Sequence, residues 1–366
     1  MKTLIVAGGS GGHLIPALAL AEHLTNLGPC LILSTTRPVD RTVASVSSVE
    51  WMTVEFQQWM PLHRWLSPRY TAHQFGAVRQ VWSILHQVQP DVVVGFGGYF
   101  SAIGVTAARL GGFPAVVHEQ NFLPGRANRW LSPLVNAVAV TFPETKNYLS
   151  SRSVVEVTGN PIRINKQPIH PEEARSSFGF DLVRPVLLVM GGSQGAQSIN
   201  RLSLSAFESL SPADRGGLQV LHLAGSRDAS YVEAAYRRLG IDARVFSFFH
   251  EMHRAYRAAT LAISRAGATT IAELISSELP SILIPYPYAG GHQWANAHWI
   301  HVSGGAILIE EQSLTPEILW RSVQALLSDS GRLTAMRTAL HAQADGSATE
   351  RLGSLIRKVV MGTGGS

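Results

Sequence analysis

Residues Val6-Ala-Gly-Gly-Ser-Gly-Gly-His13 form a glycine-rich segment that follows an apolar run and precedes a helical pattern. A second segment of nearly the same composition, Val189-Met-Gly-Gly-Ser-Gln-Gly-Ala196, has the same surroundings. Glycines at such a turn let the backbone approach a phosphate, and the following helix offers free N–H groups and a favourable dipole. We therefore predict one strand–loop–helix phosphate-binding domain used twice, with Ser10 and Ser193 in equivalent places.

The composition limits the classes of protein that the chain can belong to. A length of 366 residues favours two domains, and 46% hydrophobic with 15% charged residues is typical of a globular protein. The only cysteine, Cys30, excludes a disulfide within the chain and a cysteine-based metal site. A net charge of +5 permits an anionic partner, yet the sequence contains no RNA- or DNA-binding module.

Short apolar runs alternate with amphipathic stretches, which is typical of parallel sheets with helical crossovers. Strands are predicted at 3–7, 31–34, 91–95, 114–118, 137–141, 186–190, 219–223, 261–264 and 281–284. Helices are predicted at 16–27, 71–88, 102–110, 125–131 and 347–360, with Pro16 near the start of the first. We expect an N-terminal domain over 1–158, a C-terminal domain over 159–345, and a C-terminal helix within 346–366 that packs back on the N-terminal domain.

A further glycine pair, Gly97-Gly98-Tyr99, follows an apolar strand in the first half. Parallel strands end at one edge of a sheet, so the two glycine turns of this half are expected to converge on one diphosphate. The first turn is not a dinucleotide fingerprint, because no acidic residue ends the second strand, and it lacks a Walker lysine.

Two polar groups of the first half are candidates for the chemistry. His13 would donate to a phosphate or take a proton from an acceptor hydroxyl, and the alternative is that it caps and packs locally. His118-Glu-Gln-Asn121 closes a predicted strand with four polar residues, where open α/β sheets bind ligands. We predict a site role for this run.

In the second half, Ser264-Arg-Ala-Gly-Ala-Thr-Thr-Ile-Ala-Glu273 places small residues at a helix start and a carboxylate further along. Small residues admit a diphosphate to the helix N-terminus, Arg265 would pair with a phosphate, and Glu273 would accept hydrogen bonds from a ribose. The alternative is an ordinary surface arginine and carboxylate. His292 and Gln293, followed by Asn296, supply imidazole and amide groups suited to sugar hydroxyls.

The stretch from Phe56 to Pro90 contains no acidic residue. Its arginines interleave with aromatic residues, namely Arg64, Arg69 and Arg79 with Trp59, Trp65, Tyr70, Phe75 and Trp82. On a helix, one face would carry Phe75, Val78, Trp82 and Leu85, with Arg79 and His86 at its flank. Basic and aromatic residues together favour contact with an anionic membrane surface, and the alternative is ordinary core beneath the sheet.

Taken in order, these motifs resemble the MurG family, the UDP-N-acetylglucosamine–undecaprenyl-diphospho-muramoyl-pentapeptide N-acetylglucosaminyltransferases of peptidoglycan synthesis. The resemblance covers essentially the whole chain. It rests on Gly8-Gly-Ser-Gly-Gly-His13, Gly97-Gly-Tyr99, His118-Glu-Gln-Asn121, Phe142-Pro-Glu-Thr145, Thr158-Gly-Asn-Pro-Ile-Arg163, Gly191-Gly-Ser-Gln-Gly-Ala196, Ser264-Arg-Ala-Gly267 with Glu273, and His292-Gln293 with Asn296.

The resemblance implies a GT-B fold, in which two Rossmann-like α/β domains with parallel sheets face a central cleft. It implies an inverting reaction without cofactor or metal, in which the 4-hydroxyl of undecaprenyl-diphospho-muramoyl-pentapeptide (lipid I) displaces UDP from UDP-N-acetylglucosamine and gives lipid II. It also implies a peripheral enzyme on the cytoplasmic face of the inner membrane. Its partners there would be an anionic membrane surface and other cell-wall or division proteins.

Site residues also follow from the matched motifs. The resemblance implies donor contacts from Ser10, Gly11, Gly12, Asn121, Arg163, Ser193, Phe249, Arg265, Ala268, Thr269, Thr270, Ile271, Ala272, Glu273, His292 and Gln293. The acceptor diphosphate would bind at Gly97, Gly98 and Tyr99. For the general base, His13 is the first candidate and Glu119 its rival.

Two other classes of function are compatible with the same residues. One is a different GT-B enzyme that uses a UDP-sugar, such as a glycolipid glycosyltransferase or a UDP-N-acetylglucosamine 2-epimerase. The other is a catalytically silent nucleotide-sugar-binding scaffold, which the presence of His13, Glu273 and Gln293 argues against.

Overall fold

A computed structural model describes residues 1–56, 68–163, 169–192, 195–288, 290–344 and 346–363. The chain forms two compact α/β units. The first comprises Met1–Arg163 together with Gly346–Ser366, and the second comprises Ile164–Asp345.

The first unit contains a seven-stranded sheet in which all neighbouring strands run parallel, in the order β3-β2-β1-β4-β5-β6-β7. Its strands are β1 (Thr3–Val6), β2 (Cys30–Thr35), β3 (Glu50–Val54), β4 (Val92–Gly95), β5 (Ala115–Glu119), β6 (Ala137–Val140) and β7 (Val155–Val157). The interior strands are fully buried, which explains their continuous apolar sequences.

Helices cover both faces of this sheet. They are α1 (Gly11–Leu24), α2 (Pro38–Ala44), α3 (Pro68–Val88), α4 (Gly98–Leu110), α5 (Arg126–Leu131) and, from the end of the chain, α15 (Ala348–Thr363). Side chains alternate along β1, so that Ile5 packs in one cluster with α1 and α15, while Leu4 and Val6 pack with α3 and α4.

The first helix begins earlier than the sequence predicts. It starts at Gly11, immediately after the glycine turn, so Pro16 lies inside the helix and not near its start. A proline there has no N–H to donate to the carbonyl four residues back, and the helix tolerates this loss because its buried face packs on the sheet. The prediction for Pro16 was therefore wrong by more than one turn.

The second unit has a six-stranded parallel sheet in the order β10-β9-β8-β11-β12-β13. Its strands are β8 (Val186–Met190), β9 (Gln219–Leu223), β10 (Asp242–Phe246), β11 (Leu261–Ser264), β12 (Ser281–Leu283) and β13 (Ala306–Leu308). Its helices are α6 (Pro171–Ser177), α7 (Gln197–Glu208), α8 (Pro212–Gly217), α9 (Ala229–Leu239), α10 (Met252–Ala258), α11 (Ala268–Ser276), α12 (His292–Val302), α13 (Pro316–Leu327) and α14 (Ser330–Gln343).

Each sheet reverses its strand order at one place. In the first unit the reversal lies between β1 and β4, where Val6 pairs with Gly95, and in the second between β8 and β11, where Met190 pairs with Ser264. Open α/β sheets bind ligands beyond the carboxyl ends of the strands at such a switch point. The four loops that the sequence singled out follow these four strands.

The helix α3 carries apolar residues on two sides. Leu85 is buried together with Ala77 and Val81, whereas Phe75, Val78 and Trp82 are exposed. The prediction that the four residues share one face was wrong for Leu85, because Leu85 packs in the core beneath the sheet while the other three are exposed. Trp59, Arg64 and Trp65, and the side chains of Arg69 and Tyr70, lie outside the described residues.

Candidate functional site

The first glycine turn is fixed by a buried carboxylate. Asp40 accepts a hydrogen bond from the Gly9 N–H at 3.0 Å, and its other oxygen accepts from the Thr35 N–H at 2.9 Å and the Thr35 hydroxyl at 2.6 Å. The Arg37 guanidinium donates to the Gly9 carbonyl at 3.0 Å. Sequence analysis missed Asp40, because it lies in α2 and reaches the turn only in the folded chain.

Ser10 and His13 form a pair at the start of α1. Ser10 is the N-cap residue, and Gly11 and Gly12 are the first two helical residues. The Ser10 side chain makes no capping hydrogen bond, and its Oγ lies 3.1 Å from His13 Nδ1. The sequence therefore places a hydroxyl next to the imidazole at the mouth of the first loop.

The second glycine turn lies against this imidazole. Gly97 and Gly98 have φ angles of 80° and 76°, and Gly98 begins α4. A Cβ atom on Gly97 would lie 3.5 Å from His13 Nε2, and one on Gly98 would lie 3.2 Å from His13 Cε1. Tyr99 turns toward Phe56, with ring centroids 5.6 Å apart. The two turns converge, as the sequence predicts.

Burial lowers the pKa of His13 below its ordinary value of 6.5, although the negative charges of Glu119 and Asp40 oppose this effect. The imidazole is therefore mainly neutral at pH 7 and available to accept a proton.

Glu119 is a buried hub of hydrogen bonds. Its carboxylate accepts from the Asn121 N–H at 2.9 Å, the Gly125 N–H at 2.9 Å and the Asn128 amide at 2.8 Å, and the Asn121 amide adds a bond of 3.2 Å. This set of donors holds the loop that follows β5. This geometry favours a structural function of Glu119. Its predicted role as the rival general base stays a prediction.

The neighbours of Glu119 are also bonded within the protein. His118 Nε2 lies 2.8 Å from the Gly159 carbonyl, and burial lowers the pKa of His118 to about 4. The Gln120 amide donates to the Phe96 carbonyl at 3.1 Å. Of the four polar residues at the end of β5, His118 to Asn121, only Asn121 is partly exposed.

In the second unit, α11 begins at Ala268 directly after Gly267, whose extended backbone forms the N-cap without a side-chain hydrogen bond. Ala268 and Thr269 stand in the first turn, where the positive end of the helix dipole attracts an anion. Thr270 and Ala272 are partly exposed, whereas the Ile271 side chain is buried in the core, so Ile271 offers a ligand only its backbone.

Arg265 is almost completely buried and donates to several protein oxygens. Its guanidinium bonds the Ile284 carbonyl at 3.0 Å, the Glu311 carboxylate at 2.6 Å and the Ser198 hydroxyl at 2.8 Å. These contacts hold the loops around β11 together. The predicted pairing of Arg265 with a phosphate stays a prediction that this geometry does not favour.

Glu273 stands one and a half turns into α11 and is partly exposed as a residue. The Tyr256 hydroxyl donates to Glu273 Oε2 at 2.8 Å. Close packing of protein around the carboxyl raises the pKa of Glu273 to about 7, and the hydrogen bond from Tyr256 opposes this increase. Sequence analysis missed Tyr256, which gives no signal of its own on α10.

Gln293 connects two loops of the second unit. Its Oε1 accepts from the Ala266 N–H at 3.2 Å and the Tyr286 N–H at 3.0 Å, and Asn296 donates to the Ala266 carbonyl at 3.1 Å. His292 is the first residue of α12. Both side chains of the His292–Gln293 pair are partly exposed.

Three of the predicted site residues remain, namely Phe249, Arg163 and Ser193. Phe249 packs in an aromatic cluster with Phe178 and Phe246 at centroid distances of 5.5 and 4.9 Å. Arg163 forms a two-bond ion pair with Glu22, at 2.8 and 3.1 Å, within the first unit. Ser193 lies outside the described residues.

Both units match known domains. Residues 3–140 match the glycosyltransferase family 28 N-terminal domain, and residues 186–352 match the glycosyltransferase family 28 C-terminal domain. The UDP-N-acetylglucosamine--N-acetylmuramyl-(pentapeptide) pyrophosphoryl-undecaprenol N-acetylglucosamine transferase of Halothermothrix orenii is 35% identical over 349 residues, which cover 92% of this chain and 93% of the relative.

Solved structures agree with this assignment. The crystal structure of MurG from Acinetobacter baumannii has a TM-score of 0.75 and 28% identity and covers 98% of this chain and 99% of its own. A putative UDP-N-acetylglucosamine 2-epimerase from Listeria monocytogenes has a TM-score of 0.70 at 14% identity, over 96% of this chain and 94% of its own, and shows the shared fold alone. The chain has the GT-B architecture of two α/β units with parallel sheets, and it belongs to the MurG family within glycosyltransferase family 28.

Proposed function

We propose that this chain is an inverting hexosyltransferase that moves N-acetylglucosamine from UDP-N-acetylglucosamine to the 4-hydroxyl of lipid I, giving lipid II and UDP in peptidoglycan synthesis. The observation that carries the proposal is the 35% identity, over 92% of the chain, to a transferase named for this reaction. A separate candidate phosphate site at the switch point of each sheet supports it, because the reaction needs two diphosphate substrates.

The donor is assigned to the second unit. The first turn of α11, at Ala268 and Thr269, would bind the diphosphate, and its dipole would stabilise the negative charge that develops on the departing UDP. Glu273 lies beyond this turn, at a place suited to the ribose hydroxyls. Gln293 would bind the sugar and Phe249 would lie against the uracil; both assignments rest on the family motifs.

The acceptor is assigned to the first unit, at the two glycine turns next to His13. Displacement at the sugar carbon requires removal of the proton from the attacking 4-hydroxyl. His13 is mainly neutral and partly exposed, and its Nε2 is directed toward Gly97. We assign the general base to His13, because the Glu119 carboxylate already accepts four hydrogen bonds within the protein.

We further propose that an outer surface of the first unit binds the anionic inner membrane from the cytoplasmic side. No helix among the described residues has the length and apolar character to cross a bilayer. On α3, Phe75 is 76% exposed and Trp82 39% exposed, and Arg79 lies beside them. The helices α3, α4 and α5 contain no acidic residue, which suits contact with anionic lipid. Other cell-wall or division proteins would meet the enzyme at this membrane.

The decisive experiment incubates the purified chain with UDP-N-acetylglucosamine and a short-chain lipid I analogue and measures the products by mass spectrometry. The proposal expects the disaccharide product and one UDP for each disaccharide, only when the acceptor is present. A 2-epimerase on this fold would consume the donor without the acceptor, and a silent scaffold would consume neither substrate; either result would refute the proposal.

A further inference from the structure

We infer that Tyr256 is a positioning residue for the donor site, which orients Glu273 and keeps its carboxylate ionised for the ribose. The inference rests on the proposed function, because it deepens the assignment of Glu273 to the nucleotide. Tyr256 lies outside every motif that the sequence analysis singled out.

Tyr256 is held in contact with the Glu273 carboxylate. Tyr256 lies on α10 and is buried, and its hydroxyl is 2.8 Å from Glu273 Oε2 and 3.8 Å from Met190 Sδ. A phenol has one proton to donate, and a carboxylate is a far stronger acceptor than a thioether, so the proton points to Glu273. Met190 ends β8 just before the second glycine loop. The Tyr256 hydroxyl contacts both Met190 and Glu273, so it holds the carboxylate at a fixed place near the end of that strand.

The Glu273 carboxylate keeps acceptor positions beyond the one that Tyr256 uses. An ionised carboxylate has about four acceptor positions, and Tyr256 uses one of them on Oε2. Among the described residues, no side chain donates a hydrogen bond to Oε1 of Glu273. Two vicinal ribose hydroxyls therefore have acceptor positions available on a carboxylate whose rotation is restricted by the buried phenol.

Tyr256 also affects the charge of the Glu273 carboxyl. An ionised carboxylate accepts hydrogen bonds from two hydroxyls more strongly than a protonated carboxyl does, yet burial raises the pKa of Glu273 to about 7. The hydrogen bond from Tyr256 is the one effect that lowers this pKa. Tyr256 of α10 donates to Glu273, and α12 and α14 pack against α11. No charged side chain in the described parts of these three helices shifts the pKa of Glu273. Removing the phenol hydroxyl would therefore leave the carboxyl largely protonated at pH 7.

The test measures UDP affinity by calorimetry between pH 6 and 8.5 for the wild-type chain and for Tyr256→Phe, which keeps the ring. We expect the pH midpoint of binding to rise by about one unit in Tyr256→Phe, since a hydrogen bond to a charged group has about that effect. At pH 7 this weakens UDP binding about fivefold, and by pH 8.5 the difference nearly disappears. An unchanged midpoint, or a loss of affinity that is equal at every pH, would overturn the inference.

Two controls make the result specific. Tyr236→Phe removes another buried phenol of the second unit, whose hydroxyl lies 2.8 Å from His222 Nδ1, and it should leave the midpoint where it is. Glu273→Gln should abolish the midpoint in this range, and adding Tyr256→Phe to it should change the affinity less than twofold. A full effect of Tyr256→Phe in the Glu273→Gln background would refute coupling between the two residues.

The remaining outcomes are also informative. If Tyr256→Phe does not fold, as judged by circular dichroism, site-specific replacement of Tyr256 by 3-fluorotyrosine supplies a stronger donor of the same shape. It should move the midpoint to lower pH, and no movement would contradict the inference. If the wild-type chain does not bind UDP at all, the proposed function fails, whereas wild-type binding with an unchanged Tyr256→Phe midpoint is a failure of this inference alone.

Discussion

The Oγ of Ser10 lies 3.1 Å from Nδ1 of His13, while His13 Nε2 is directed toward the Gly97 turn. If the hydroxyl accepts the Nδ1 proton, the lone pair of the neutral ring is held at Nε2. A hydroxyl at the helix cap would in this way select the imidazole tautomer that a general base requires.

Replacing His13 by Ala is expected to lower kcat by about 10²–10⁴-fold, the usual contribution of a positioned general base. The dissociation constant for UDP should stay within about twofold of wild type, because the donor is assigned to the other unit. Steady-state kinetics with a lipid I analogue, combined with calorimetry for UDP, measure both quantities. Unchanged turnover would eliminate His13 as the base.

Ser10→Ala provides the matched test of the tautomer argument. It keeps the imidazole but removes its hydrogen-bond partner, so kcat should fall by about tenfold, the equivalent of one hydrogen bond. Ser10→Thr retains a hydroxyl and should retain most of the activity. A Ser10→Ala enzyme with wild-type kcat would show that the hydroxyl does not orient His13.

Asp40→Asn is expected to lower the free energy of unfolding of the first unit by about 2 kcal/mol, because an amide cannot satisfy the three donors that Asp40 accepts. Urea denaturation measures this loss. Asp329→Asn is the control, since Asp329 caps α14 through the Arg332 N–H, and asparagine caps equally well. An equal free energy of unfolding for Asp40→Asn and wild type would contradict the conclusion that Asp40 fixes the glycine turn.

The double variant Phe75→Ser, Trp82→Ser is expected to reduce binding to vesicles containing anionic lipid by at least tenfold, because about 1.5–3 kcal/mol of transfer free energy is lost for each large apolar side chain. Sedimentation with vesicles measures the change. Turnover of a water-soluble acceptor analogue should not change. Tyr231→Ser, at an exposed position on α9, should bind vesicles like the wild type. Vesicle binding that survives the double variant would place the membrane surface elsewhere.

Stability should depend on pH through two buried histidines. Burial lowers the pKa of His118 to about 4 and that of His222 to about 3, from an ordinary value of 6.5. The unfolded chain therefore binds more protons than the folded chain between pH 6.5 and 4. The contribution of these two histidines to the free energy of unfolding should be constant above pH 7 and fall below 6.5, by up to about 1.4 kcal/mol per pH unit for each histidine. Glu273, whose pKa is raised to about 7, contributes with the opposite sign between pH 4.5 and 7, so the histidine contribution is read from the difference between wild type and a histidine variant.

Urea titrations at pH 7, 6 and 5 measure this dependence. His222→Gln should reduce the slope, because it removes one of the two groups that take up a proton on unfolding. A slope that does not change in this variant would mean that His222 keeps its ordinary pKa in the folded chain.

The sequence predicts the interior of both sheets and misses their borders. Every interior strand was predicted, whereas β3, β7, β10 and β13 were not, and these four are the edges of the two sheets. An edge strand is covered on fewer sides, so it needs no continuous apolar run; β10 reads Asp-Ala-Arg-Val-Phe and is only partly buried. Periodicity alone therefore cannot find such strands.

The site shows a related limit. Glycine turns and the α11 N-terminus were predictable, because their chemistry depends on local sequence. Asp40 and Tyr256 were not, since each acts on a residue of another element. The sequence patterns predict that Arg265 and Glu119 contact substrates. In the folded protein, both side chains form hydrogen bonds to other residues of the chain. The residue type indicates what a side chain can bind, and only the tertiary structure shows what already occupies it.

The helix α15 has a consequence for how the protein is made. Leu352, Leu355 and Ile356 are buried with Leu14 and Leu18 of α1, and Arg351 donates to the Thr158 carbonyl at 2.8 Å. The sheet they cover is finished at Val157, yet α15 begins only at Ala348. On the ribosome, the apolar surface of the N-terminal half that α15 covers therefore stays exposed while the whole second unit is translated. Chaperones would have their longest opportunity to engage the nascent chain during that interval.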